Sequence, residues 1–212
     1  MTSAAGPPPG RGGAYDRGEG DLSERAGLAW SEARSFADLL ALGRRFLTGE
    51  IETFPGWRAA ELDDESDALL PPLLALNAAG LLSVASQPGA PFAPGHDGRS
   101  WGGRAFIGGF AEPAEARAIA ADARAGGLLA LEAPPGGSDG FEVPAGLRDG
   151  MPYLVLGADA REAEIEIFEE EASPAAAEAL RAAAFLWLVD PAWGRRERFL
   201  RALGGVSFGA NE

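Results

Sequence analysis

The residues best placed to do chemistry lie between Leu73 and Gly89, which reads Leu73-Leu74-Ala75-Leu76-Asn77-Ala78-Ala79-Gly80-Leu81-Leu82-Ser83-Val84-Ala85-Ser86-Gln87-Pro88-Gly89, with Glu65-Ser66 a little upstream. An apolar stripe at helical spacing stops at Gly80. A short apolar run then ends in two hydroxyls and an amide before a Pro-Gly turn. A helix therefore hands the chain to a strand whose end gathers Ser83, Ser86 and Gln87. Such groups both donate and accept hydrogen bonds, and gathered at a strand end they make a wall for a polar small molecule. The same residues have an equally direct structural reading, with Asn77 as a helix cap, Ser83 as a strand residue and Gln87-Pro88 as a turn.

Other chemistries are narrowed by what the chain lacks. His96 is the single histidine, so no two-histidine metal site and no imidazole relay can form. There is no Cys, which removes disulfides, thiolate nucleophiles and cysteine-held metal, and a reducing cytoplasm is the compartment expected. All 18 basic residues are Arg. Without Lys there is no Schiff base for pyridoxal phosphate and no P-loop amine. Gly205-Val206-Ser207-Phe208-Gly209 matches a nucleophile-elbow pattern, but the only His lies far upstream, whereas that architecture puts its His last. Glu169-Glu170-Glu171 and the Glu164/Glu166 pair offer carboxylates for a cation, or simply a solvated edge.

The elements that position these groups follow from patterning. Thirty-two acidic against 18 basic residues leave a net charge of -14, which argues against nucleic acid and anionic membrane surfaces as partners. Met1–Asp21, rich in Gly, Pro, Ala and Arg, is expected to be a disordered tail, and 22–212 a single α+β domain. No run approaches the apolar length of a spanning helix, and Met1–Gly20 carries no apolar export segment. Helices are expected from Phe36 to Gly49 with Gly43 inside the apolar stripe, from about Leu70 to Gly80, over Glu112–Arg124, Pro174–Ala184 and Pro191–Leu203. Strands are expected at Leu81–Ala85, Arg104–Phe110, Leu128–Leu131, Tyr153–Leu156 and, from its alternation of Ile with Glu, Glu164–Phe168. Ser86–Trp101 and Ala133–Gly150 read as long loops. Five or so strands in mixed sheets, flanked by four or five helices, make the fold class α+β.

The Leu-Asn-x-x-Gly helix end and the Ser-Gln-Pro strand end, with Trp101-Gly102-Gly103 and the strand after it, resemble the C-terminal regulatory domain of eukaryotic methylenetetrahydrofolate reductases. The resemblance runs from Glu65 to Leu131, with a fainter echo over Phe185–Leu203, and it is shared by small bacterial proteins without the catalytic barrel. It implies that domain's fold and its ligand, S-adenosylmethionine or S-adenosylhomocysteine. It implies no flavin or folate chemistry, because the barrel is missing. The ligand residues it implies are Glu65, Ser66, Ser83 and Ser86, to which Gln87 and Trp101 are added as neighbours in the same motifs. A carboxylate suits a sulfonium or ribose, and hydroxyls suit the adenine edge or a carboxylate. One family threonine falls on Val155, which removes a hydrogen bond. Three readings follow: a stand-alone sensor regulating a protein partner, an enzyme performing methyl transfer or intramolecular displacement at the sulfonium with Glu65 as electrostatic anchor and a base from the acidic Glu164–Phe168 strand or Tyr153, and a structural domain whose pocket is filled by side chains.

Overall fold

Ser35 starts the first helix. Its Oγ accepts the Asp38 N–H at 3.2 Å and Asp38 Oδ2 accepts the Ser35 N–H at 2.9 Å, a reciprocal cap for amides that lack helical partners. The computed structural model describes residues 29–57, 67–137, 141–157, 159–194 and 196–204. The expected tail over Met1–Asp21, the Glu65-Ser66 pair and the Gly205–Gly209 segment lie outside the described residues.

Helix α1, Phe36–Leu47, buries Phe36, Leu39, Leu42 and Leu47. Gly43 sits mid-helix where α1 closes on the sheet: a Cβ there would stand 2.7 Å from Leu82 Cδ1 and the buried Leu82 side chain would have to shift. Helix α2, Leu70–Ala78, follows a single 3-10 turn at Asp67–Leu69. Pro71 and Pro72 fall in its first turn, where a missing N–H breaks no helical bond. Asn77 caps nothing. Its Nδ2 donates to the Leu40 carbonyl at 3.1 Å and ties α2 to α1.

The remaining elements are β1 (Leu82–Pro94), β2 (Ser100–Ala111), α3 (Pro113–Ala125), β3 (Leu129–Ala133), β4 (Glu142–Arg148), β5 (Met151–Gly157), α4 (Asp159–Glu171), α5 (Pro174–Ala182), β6 (Ala184–Val189) and α6 (Arg196–Gly204). The class is α+β, with one six-stranded sheet whose pairings are all antiparallel. Strand β2 organises it. β1 runs along one edge of β2, and the opposite edge is shared, with β6 beside Phe106–Ala111 and β4 beside Trp101–Gly103. Beyond these, β3 extends β6 and β5 extends β4.

Alternation along β2 and β6 sends Phe106, Phe110, Phe185 and Trp187 to one face, where they pack with α1, α4 and α5. Ala105, Ile107, Leu186 and Leu188 go to the other face, with α2, α3 and α6. Both faces are covered, which is why β6 is buried at every position. No helix among the described residues is long and apolar enough to cross a membrane.

Three expectations are corrected. The segment Glu164–Phe168 is part of helix α4 rather than a strand. Five alternating residues fit either period, and the wider spacing decides: Arg161, Ile165 and Phe168 are buried at three- and four-residue intervals among strong helix formers. Ser86–Trp101 is not a loop, because β1 continues to Pro94 and β2 begins at Ser100. Pro88, Pro91 and Pro94 are tolerated because, among the described residues, β1 pairs only with β2. The Ala133–Gly150 loop contains β4, whose pairing with β5 is irregular around Pro144 and Gly146.

Candidate functional site

In a regular strand, residues three apart point to opposite faces, so Ser83 and Ser86 would be separated by the sheet. The register of β1 on β2 prevents this. Ser83 pairs with Gly109, Ala85 with Gly108 and Ser86 with Ile107, which leaves Val84 as an extra residue in a bulge. Both serines therefore share the face of Ile107, the one covered by α2, α3 and α6, and both are half-buried. Gly109 makes the bulge possible. A Cβ on it would lie 2.2 Å from the Leu82 carbonyl oxygen and 2.9 Å from Ser83 Cα. The turn Asp67–Leu69 packs against β1, and the expected ligand residues Glu65 and Ser66, just ahead of it in sequence, lie outside the described residues.

Gln87 and Trp101 belong elsewhere. Gln87 pairs with Phe106, on the face opposite Ser86, and its amide lies 3.7 and 3.8 Å from the place a Gly103 Cβ would occupy. Gly103 is itself paired with Gly146, so this stretch of sheet has a bare floor. The Tyr153 ring lies over Gly146 and meets Trp101 edge-on, with ring centroids 4.8 Å apart. The Arg148 guanidinium covers the Trp101 ring at 4.5 Å. Asp97 completes the group: Oδ1 accepts the Trp101 Nε1–H at 3.1 Å and the Arg99 N–H at 3.0 Å, and Oδ2 meets Arg148 Nη2 at 2.5 Å. These donors, the indole foremost, hold the Asp97 carboxyl at about 2, below its ordinary value. Burial pushes the Tyr153 phenol up. Trp101 pairs with Ala93, six residues along β2 from Ile107, or about 20 Å at strand rise. The structure thus brings Ser83 to Ser86 and places Gln87 and Trp101 around a separate patch.

The acidic candidates do not converge. Glu164 is buried and Glu166 exposed, on different sides of α4. Glu169 pairs with Arg181, and Glu171 accepts the Gly56 N–H at 2.8 Å. Among the described residues, no three His, Asp or Glu side chains gather as a metal site would require.

One group that sequence reasoning passed over lies where β6 and β4 part along β2. Asp190 follows the last residue of β6 and is fully buried. Its N–H donates to the Ala105 carbonyl at 2.9 Å, and its Oδ1 accepts the Ala192 N–H at 2.8 Å with Arg198 Nε at 3.7 Å. Oδ2 has no hydrogen-bond partner among the described residues. Arg104 directly precedes the Ala105 whose carbonyl meets Asp190, with its guanidinium 4.3 Å from the Trp193 ring centroid and a buried Nε also without a partner among the described residues. The signal in the sequence was an acid closing a wholly apolar run, Phe185-Leu186-Trp187-Leu188-Val189-Asp190.

No curated protein matches the chain. The family described as Domain of unknown function (DUF6919) matches it over residues 25–206.

Proposed function

The chain belongs to the DUF6919 family, and we propose that it is a stand-alone module that binds S-adenosylmethionine or S-adenosylhomocysteine on the Ser83/Ser86 face of β1 and acts as a sensor for a protein partner. The observation that carries this reading is the bulge at Val84, which turns two hydroxyls onto one half-buried face beside the turn that follows Glu65-Ser66 in sequence. A bulge costs ladder hydrogen bonds and is a common device for re-aiming a side chain at a site. Two hydroxyls about 7 Å apart at strand rise can reach separate polar groups of one nucleoside, such as a ribose oxygen and the purine edge. The resemblance over Glu65–Pro88 supports the same ligand.

Binding without turnover is the better-supported mode. Tyr153, a candidate base for an enzyme consuming the sulfonium, stands over Gly146 at the level of Ala90, about 13 Å along β1 from Ser86. Its phenol is also shifted up by burial, away from a base's requirement. The other candidate base, the acidic segment Glu164–Phe168, lies in helix α4.

Calorimetric titration of the purified protein with S-adenosylmethionine, followed by mass spectrometry of the ligand, tests the reading. Saturable binding with the ligand recovered intact is the expected result. Recovery of methylthioadenosine or S-adenosylhomocysteine makes the protein an enzyme, and no heat of binding leaves only a structural role.

A further inference from the structure

A carboxylate buried without a partner for one of its oxygens is costly unless something else meets it. Asp190 is in that position: it is 0 % exposed, with Oδ1 engaged and Oδ2 unpaired among the described residues. Arg104 is the complementary half. Burial pushes its guanidinium below its ordinary value while the Asp190 charge opposes that shift, so the two groups feel one another. They are nevertheless not within ion-pair distance among the described residues, and the Arg104 Nε is itself unpaired there. Trp193 fixes the guanidinium by stacking on it, and Phe92, 48 % exposed, packs against Trp193 at 5.8 Å between ring centroids.

We infer that Asp190 and Arg104 form a subsite for a zwitterionic α-amino-acid group, the Asp190 carboxylate taking the ammonium through Oδ2 and the Arg104 guanidinium taking the carboxylate. A planar guanidinium matches a carboxylate in two parallel hydrogen bonds, and an ammonium supplies the donors that Oδ2 lacks. This deepens the proposed function and rests on it for the rest of the ligand. The positions agree. Arg198, from α6, approaches Asp190 Oδ1, which puts that carboxylate on the same face as Ser86. Asp190 is level with Ala105, two residues along β2 from the partner of Ser86, with β2 between the two groups. Two inter-strand spacings and two residues of rise put the groups about 12 Å apart, comparable with adenosine extended by an amino-acid arm.

The test compares three compounds on the wild-type protein by calorimetry: S-adenosylmethionine, S-adenosylhomocysteine and 5′-methylthioadenosine, which keeps the nucleoside and sulfur but lacks the amino-acid group. The two amino-acid-bearing compounds are expected to bind at least tenfold more tightly than methylthioadenosine. In Asp190→Asn and in Arg104→Gln the ratio should collapse toward one. Equal affinities in the wild type overturn the subsite and leave the nucleoside reading standing, whereas no binding of any compound overturns both. Should Asp190→Asn fail to fold, as circular dichroism would show, the wild-type ratio and Arg104→Gln still decide.

Discussion

Replacing Gly109 by Ala tests the feature on which the proposed site depends. The new Cβ would lie 2.2 Å from the Leu82 carbonyl oxygen, 2.9 Å from the Leu82 carbonyl carbon and 2.9 Å from Ser83 Cα. All three are backbone atoms, so no rotamer change relieves the contact, and β1 must move off β2 by about 1 Å to restore van der Waals distance. Overfilling a packed site costs about 1–3 kcal/mol, and a backbone clash belongs at the upper end. Removing a glycine from a strand returns about 0.5–1 kcal/mol of chain entropy. The net loss is about 2 kcal/mol, or about 4–8 °C in Tm for a chain of this size. Thermal melts followed by circular dichroism measure it, with Gly204→Ala as the control, because a Cβ at Gly204 meets no atom within 4 Å. The same variant should lose nucleoside binding in calorimetry, because any shift of the bulge turns Ser83 away from Ser86. A Gly109→Ala protein that melts within about 1 °C of wild type would refute the close approach and the shared face with it.

Removing both hydroxyls, Ser83→Ala with Ser86→Ala, should leave the melt near wild type while weakening S-adenosylhomocysteine roughly ten- to hundredfold, from two hydrogen bonds of about 0.5–1.5 kcal/mol each; unchanged affinity in calorimetry removes the site. Asn77→Ala breaks the bond to the Leu40 carbonyl, which keeps its own helical donor inside α1. Urea titration should show a loss of about 0.5–1.5 kcal/mol, and an unchanged midpoint would mean that Asn77 does not tie α2 to α1. Asp97 sits below its ordinary value of 3.8, at about 2, so its contribution to the hairpin end is complete above the ordinary value and is lost as pH falls through about 2. The Trp101 indole N–H resonance should move in that window in the wild type and stay still in Asp97→Asn, and a wild-type resonance indifferent to acid would show that Asp97 does not hold the ring.

Much of the fold was legible because periodicity and punctuation agreed. The Phe36–Leu47 stripe, the prolines at the start of α2, the apolar run of β6 and the glycines closing α3 each carried one message at local and global level. Helix α4 was not legible as a helix because its central five residues satisfy two periods at once, and what discriminates is burial at helical spacing, including that of Arg161 under the end of α5. There Arg161 Nη2 donates to the Arg181 carbonyl at 2.8 Å, a contact twenty residues away that no local window contains. The long β1–β2 hairpin was hidden by its prolines. Their tolerance depends on β1 being an edge, which is a property of the sheet rather than of the segment.

The candidate residues were legible as types and not in their geometry, for a reason of parity. Strand alternation divides any run of polar residues between two faces, so Ser83, Ser86 and Gln87 cannot all meet one ligand without an interruption. A single extra residue at Val84 reverses the parity for Ser83 relative to everything after it, which joins Ser83 to Ser86 and leaves Gln87 behind. Nothing in Ser-Val-Ala-Ser announces that interruption. Its trace lies on the neighbouring strand, in Gly108-Gly109, where the missing side chains admit Trp187 on one face and the displaced Leu82 carbonyl beside the other. Asp190 shows the converse. Its neighbour Arg104 is brought near by the shared edge of β2, where the Asp190 N–H meets the Ala105 carbonyl, and no spacing within the segment that contains Asp190 predicts that meeting. Chemistry assembled across a strand is thus recorded in the partner strand, and a reading that follows one segment at a time recovers the residue types while leaving their meeting places to the sheet.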